Sequence, residues 1–396
     1  MKFEQVLSRS QIRQFLECPL HIYQKDPNWV RPLDQEIEGI FDEQKNHFFK
    51  HGEAVRWILK NKGKVIGRVA AFYRKDEVTG IKTGGMGFFE CINDVNAAFK
   101  LFEKCKVWLL SKGVKNMDGP VNCGENNNYW GLLIEGFTQP AYGMNYNPPY
   151  YKDFFECYGF KISYEQYTNH FDINKPLPQR FRNIVERVSN SSEYTFEHIQ
   201  MKHLDKYVDS VVYVHNKAWQ FKDDFREITS AYVRDQFRQM QSIIEEKMIW
   251  FVYKGDEPLG FFIAIPDVNQ IIKRLYGKLG FWEKLLFMYF KKTNVIDRVR
   301  VIIMGVIPEY QGKGLESGLI VKAFDEVKAM GKYREGELSW VGDYNPGMIA
   351  IHKATGAIPG KTHVTYSMDL TPSNRLKESQ MQDLDEFKRT HYAKLY

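Results

Sequence analysis

The chain has 396 residues, 43% of them hydrophobic and 15% aromatic, with a net charge of +6 and an isoelectric point near 8.8. It is too long for one ordinary core and too apolar for disorder, so two folded domains are expected. The mild basic excess admits an anionic ligand or a membrane surface, while the lack of any lysine- or arginine-rich tract argues against a nucleic-acid partner.

Five cysteines, Cys18, Cys91, Cys105, Cys123 and Cys157, form neither a CxxC pair nor a framework pattern. They read as reduced thiols packed as small hydrophobes, and no metal site is expected. The N-terminus, MKFEQVLSRSQIRQF, lacks the apolar segment of a signal peptide. No stretch approaches the ~18 uncharged apolar residues of a membrane-spanning helix. A soluble cytoplasmic protein is expected, peripheral to a membrane at most.

In chain order, Ile12, Phe15, Leu16 and Leu20 fall at helical spacing ahead of Pro27. Trp57 to Leu59 and Val65 to Tyr73 flank Lys62-Gly63-Lys64 and read as a β-hairpin. Met86 to Ile92 is a strand candidate, and Ala97 to Leu110 is a helix with Ala98, Leu101, Phe102, Cys105, Trp108 and Leu109 inward. Between strand and helix, Cys91-Ile92-Asn93-Asp94-Val95-Asn96-Ala97 has no glycine, and Asn93 or Asp94 is placed to cap the helix. Residues 119–149 are rich in Gly, Asn and Pro and read as a structured loop region. Tyr150 to Tyr158 follows as a short helix stopped by Gly159, then strand material from Phe160 to Ile173. Pro176 and Pro178 mark a boundary, giving domains 1–175 and 176–370 and a helical tail at 371–396.

The second half repeats the plan. Gly67, Gly159 and Asp172 have counterparts in Gly260, Gly356 and Asp369, separated by 193, 197 and 197 residues. Two copies of one mixed α/β unit are expected. They differ at one turn. A β-branched run, Val301 to Ile307, passes through Gln311-Gly312-Lys313-Gly314 into a segment whose Leu315, Leu319, Ile320, Ala323, Phe324 and Val327 recur at helical spacing. Glycines let a ligand approach the backbone, and the open N–H groups of a helix's first turn favour phosphate. Downstream lie a strand, Glu337 to Val341, the turn Gly342-Asp343-Tyr344-Asn345-Pro346, and a helix from Gly347 to Thr355.

This turn resembles the coenzyme A loop of the GNAT acyltransferase superfamily, Val-x-Pro-x-x-Arg/Gln-x-x-Gly-x-Gly/Ala. Val306, Pro308, Gln311 and Gly314 match, and Glu316 stands where Gly or Ala is usual. A carboxylate there suits the helix dipole but repels a diphosphate unless it points outward. The wider chain is similar to an uncharacterised bacterial group of two-domain GNAT-like proteins, through Gly119-Pro120-Val121-Asn122, Gly131 to Phe137, Tyr146 to Tyr151, Gly305-Val306-Ile307-Pro308 and Ser339-Trp340.

The resemblance implies tandem GNAT-like domains, each a twisted, mainly antiparallel sheet flanked by helices, the first degenerate and the second binding acyl-CoA. It implies cofactor contacts at Met304, Gly305, Val306, Gln311, Gly312, Lys313, Gly314, Leu315, Glu316 and Asn345, with adjacent strands splayed around the thioester and a strand N–H polarising its carbonyl. His352 falls where the superfamily's thiolate-protonating Tyr is usual; it serves as that acid or is an exposed helix residue. Asp343 accepts a proton from the amine or serves only its turn, and Tyr344 is an alternative acid. The activity implied is N-acylation of an amine by acetyl-CoA or a longer acyl-CoA. The alternatives are long-chain acylation of a lipid amine, such as a sphingoid base, and a silent CoA-binding scaffold. The basic, aromatic insertion 275–292 either lies on a membrane, walls an acyl tunnel or packs between domains.

Overall fold

The computed structural model describes residues 1–371 apart from 77–78, 125–127, 190–191, 222–224 and 226. The expected C-terminal helical tail lies outside the described residues from position 372 on. The chain divides into two compact units, one holding residues 1–166, 272–286 and the segment from Lys361, the other 167–271 and 287–360. Both combine mostly antiparallel sheet with flanking helices, as the mixed α/β reading expects.

The first unit opens with β1 (Lys2–Gln5), α1 (Arg9–Glu17), α2 (Pro19–Ile22) and α3 (Asp34–Ile40). The hairpin follows as β2 (Gly52–Asn61) and β3 (Lys64–Lys75), in register from Gly52↔Arg74 to Asn61↔Lys64. Lys62 and Gly63 turn it with φ of 47° and 80°, the positive pair that a two-residue turn needs to match strand twist. β4 (Lys82–Cys91), α4 (Val95–Ser111), β5 (Asn116–Gly119), β6 (Leu132–Glu135) and α5 (Tyr151–Tyr158) come next. α4 buries Ala98, Leu101, Phe102, Cys105 and Leu109, leaves Trp108 half-buried, and packs on β3 and β4. α5 ends at Gly159 in the left-handed region. All five cysteines are free thiols, and four are buried.

The second unit runs through β7 (Lys161–Asp172), α6 (Gln179–Ser189), β8 (Thr195–His198), α7 (Leu204–Trp219), α8 (Ser230–Met240), β9 (Ile249–Lys254) and β10 (Glu257–Pro266). After α9 (Asn269–Ile272), α10 (Phe281–Lys292) begins in the first unit and ends in the second, which continues with β11 (Arg298–Val306), α11 (Leu315–Ala329), β12 (Glu335–Glu337), β13 (Val341–Gly342) and α12 (Pro346–Ala354). Its sheet order is β7-β12-β11-β10-β9-β8. The expected strand Glu337 to Val341 is interrupted: pairing stops at Glu337, and the buried Leu338 instead donates its N–H to Asn169 O at 2.8 Å.

The repeat is visible element by element. β3, β4, α4, α5 and β7 recur in the same order as β10, β11, α11, α12 and β14 (Ile358–Asp369), and β7 and β14 are both 12 residues long and end in Asp. From Lys361 onward β14 belongs to the first unit, pairing with β5 (Tyr366↔Gly119) and β6 (Val364↔Leu132). The end of β7 belongs to the second unit, pairing with β12 (Glu335↔Asp172). Each unit is therefore discontinuous in sequence, unlike the contiguous halves split near residue 175.

Candidate functional site

β11 makes the site by leaving one neighbour. It stays paired to β10 along its length, from Pro266↔Val299 to Gly260↔Val306. Its parallel pairing with β12 covers only Arg298↔Glu335, Val299↔Gly336 and Arg300↔Glu337. Beyond Arg300 the two strands part, and Ile302, Ile303 and Met304 are partly exposed in an otherwise buried strand. The paired end is anchored: Arg298 Nε donates to the fully buried Asp267 carboxylate at 2.8 Å.

The opening leads into a cavity of about 670 Å³, within the range of small-molecule sites. Met304, Gly305 and Val306 form its strand wall; Gln311 to Gly314, Glu316 and Ser317 form the loop wall. Trp219 at the end of α7 and Ile184, Arg187 and Val188 of α6 face them, with Asn345, Gly347, Met348 and Ile351 completing the lining.

Local chemistry explains the loop. Gly312 and Gly314 have φ of 72° and 89°, a region that costs most side chains free energy. A Cβ on Gly314 would meet Ile184 and Val188 at 2.9 and 3.0 Å, so α6 leaves room only for glycine there. Gln311 Nε2 donates to Val306 O at 2.9 Å, tying the loop back to the strand. Lys313 holds its ammonium over the Tyr310 ring, 4.5 Å from the centroid. Gly314 is the N-cap of α11, with no side-chain cap, so the first-turn N–H groups are left for a ligand or solvent. In the first unit the equivalent turn is plugged: Asp94 accepts from Asn96 and Ala97 N–H at 2.9 and 3.2 Å. The capping role open to Asn93 or Asp94 thus falls to Asp94.

Eight of the ten expected cofactor contacts are joined in this wall by Asn345, whose side chain also accepts from Met348 N–H at 3.2 Å to start α12; Leu315 alone is absent, buried in the core. Glu316 does not point outward as a diphosphate would require. Its carboxylate turns back and accepts the Gly312 N–H at 3.2 Å.

The three expected catalytic side chains stand apart from the cavity lining. Asp343 and Tyr344 are exposed, Tyr344 by 56%. His352 is buried rather than surface-exposed, its Nδ1 lies 3.0 Å from Asn169 Nδ2, and burial lowers its pKa to about 4. The neighbouring Ile351 reaches the cavity instead. Trp219 and Arg187 escape sequence reasoning. Trp219 closes an amphipathic helix whose periodicity signals only a core face, and α6 follows two prolines that read only as a domain boundary.

No known protein-family profile matches the chain. It is 28% identical to the bacterial ceramide synthase of Caulobacter vibrioides, over 92% of this chain and 96% of that protein. It is 26% identical to protein YghO of Escherichia coli, over 92% and 94%. Among solved structures, it matches a tandem GNAT protein from the clavulanic acid biosynthesis pathway with a TM-score of 0.57 at 13% identity, over 94% of this chain and 99% of that one. It also matches a GNAT-type N-acetyltransferase of Sphaerobacter thermophilus with a TM-score of 0.50 at 10% identity, over 93% and 96%. The order of elements, the parted strands and these neighbours agree: the chain has the tandem GNAT fold.

Proposed function

We propose that the chain is an acyl-CoA-dependent N-acyltransferase whose acceptor is a lipid amine of the sphingoid type, working in the cytoplasm at a membrane surface. The observation that carries the donor is the convergence, in one cavity, of an uncapped glycine-rich helix start with a strand whose partner has left it. The N–H groups of Lys313 to Leu315 would take the pyrophosphate, and the backbone of Met304 to Val306 would take the pantetheine arm and polarise the thioester carbonyl. The amine nitrogen attacks the carbonyl carbon, the C–S bond breaks, and the thiolate takes up a proton as the nitrogen loses one. Asp343 is assigned to accept the amine's proton and Tyr344 to supply the thiolate, both exposed side chains outside the cavity lining. His352, unprotonated at neutral pH, is assigned to hold α12 in place through Asn169. The name of the Caulobacter vibrioides relative, with its near full-length match, supports the lipid acceptor. The first half, 1–175, is assigned a structural or substrate-shaping role, and the second, 176–370, the donor.

Calorimetry with CoA, acetyl-CoA and a long-chain acyl-CoA, followed by thiol release on adding a sphingoid base, tests this. Binding of CoA with base-dependent thiol release is expected, faster with the long chain. No binding of any of the three would reject the reading. Glu316 favours one second reading, a silent CoA-binding scaffold, for which CoA would bind but no amine would release thiol.

A further inference from the structure

α10 turns an apolar face to solvent. Phe281, Trp282, Leu285, Leu286, Met288 and Tyr289 are between 45% and 73% exposed, and no residue of this 12-residue helix is buried. At about 100° per residue they occupy one continuous arc of roughly 160°, with Glu283, Phe287 and Phe290 on the half-buried side. A helix normally lays such a face on the core. Contiguous apolar surface left in water marks a site of association.

The turn ahead of α10 exposes a further aromatic side chain. Tyr276 is 74% exposed with φ 52°, a conformation that a bulky residue keeps only where its surroundings impose it. Those surroundings are specific: Asp34 N–H donates to Gly277 O at 2.8 Å, and the Arg31 side chain fills the space that a Cβ on Gly277 would need. Lys273 is tied to Pro27 O and, at 3.1 Å, to Gln139 Oε1.

Charge selects the occupant. Lys278 and Lys284 are exposed ahead of and beside the apolar arc and Lys292 is exposed at its C-terminal end, while the helix's one acidic residue, Glu283, sits on the half-buried side. The helix is about 18 Å long, too short to cross a bilayer. Rings of Trp and Tyr, aliphatic side chains and flanking ammonium groups on one short helix are the chemistry of an interfacial segment. We propose that α10 and the Tyr276 turn form a docking face that sinks into the headgroup region of a bilayer containing anionic lipid. It deepens the lipid-amine reading, on which its purpose rests; its geometry does not.

Flotation of the full chain with phosphatidylcholine vesicles, with and without phosphatidylglycerol, reads docking without acyl transfer. Co-flotation is expected with the anionic vesicles and should weaken as salt screens the lysines. Phe281→Ser with Trp282→Ser should reduce it by about tenfold or more. Lys278→Glu with Lys284→Glu, which leaves the apolar face intact and so guards against a folding defect, should abolish the preference for phosphatidylglycerol. CoA binding by calorimetry should be unchanged in both pairs, which separates failure of docking from failure of the donor site. Wild-type protein that floats with neither vesicle overturns the proposal. So does sedimentation showing a dimer that the Phe281/Trp282 pair dissociates, since the face then belongs to a second copy.

Discussion

The Gly312 N–H donates to the Glu316 carboxylate at 3.2 Å, inside the wall of the cavity beside β11. A negatively charged group therefore already uses a loop N–H of the kind a CoA pyrophosphate would use. Diphosphate and carboxylate repel at this range, and removing the charge gives up only a modest helix-dipole gain. Glu316→Gln, which keeps an acceptor for Gly312, should bind CoA about tenfold more tightly by calorimetry, roughly 1.4 kcal/mol. Looser binding would show that Glu316 shapes the loop and does not compete for it.

Gly305 and Trp219 set the width of the cleft. A Cβ on Gly305 would lie 2.6 Å from the Trp219 ring, and that ring is stacked between His215 and Phe261, at 4.8 and 6.3 Å, with little freedom to retreat. Gly305→Ala should cost about 1–3 kcal/mol of stability, as overpacking does, and reduce transfer from every donor. Trp219→Leu should instead widen the cavity and shift kcat/KM towards bulkier acyl-CoA donors. Rates across a series of chain lengths measure both; an unchanged preference in Trp219→Leu would remove this side chain from donor selection.

His352 carries a pH signature. Its pKa is about 4 in the folded protein through burial, against about 6.5 when unfolded. The unfolded chain thus binds the extra proton between those values, and stability should fall as pH drops from about 6.5 to about 4, by up to ~3 kcal/mol from this residue. His352→Gln should flatten that part of a denaturation series and leave acyl transfer at neutral pH within a few-fold of wild type. A loss of about a hundredfold, the scale of general acid catalysis, would return the thiolate's proton to His352.

What the sequence shows and conceals follows from the range of each interaction. The Lys62-Gly63 turn, the Gly159 and Gly356 helix stops, and the uncapped Gly314 depend on backbone preferences within a few residues, so composition reveals them. The duplication is equally plain because both copies keep these local markers. Membership of β14 in the first unit's sheet is not, since its partners Gly119 and Leu132 are more than two hundred residues away and no local pattern encodes such a pairing. The inward turn of Glu316 is a choice of side-chain rotamer on a helix, where spacing places the Cα and not the carboxylate. His352 has helical spacing that fits an exposed acid as well as a buried structural residue, and only Asn169, 183 positions earlier, decides.

Glu90 opposes His352 over nearly the same pH range. It is buried in the first unit, accepting from the Tyr23 and Tyr151 hydroxyls at 2.9 Å each, with Arg68 Nη2 3.6 Å away. Burial dominates over Arg68 and these hydrogen bonds, raising its pKa to about 7. The folded protein then holds a proton that the unfolded chain has lost above about 4.5, so stability from this group is full below that value and falls as pH rises through about 7, by up to ~3 kcal/mol. Glu90→Gln should match wild type near about pH 5 and be the more stable protein near about pH 8, provided that denaturation is followed at both. Because His352 gains stability where Glu90 loses it, the wild-type curve between about pH 4.5 and 6.5 should be shallow. The two slopes should emerge only when each residue is replaced in turn, and a wild-type and Glu90→Gln pair with parallel curves would show that Arg68 keeps the carboxylate ionised throughout.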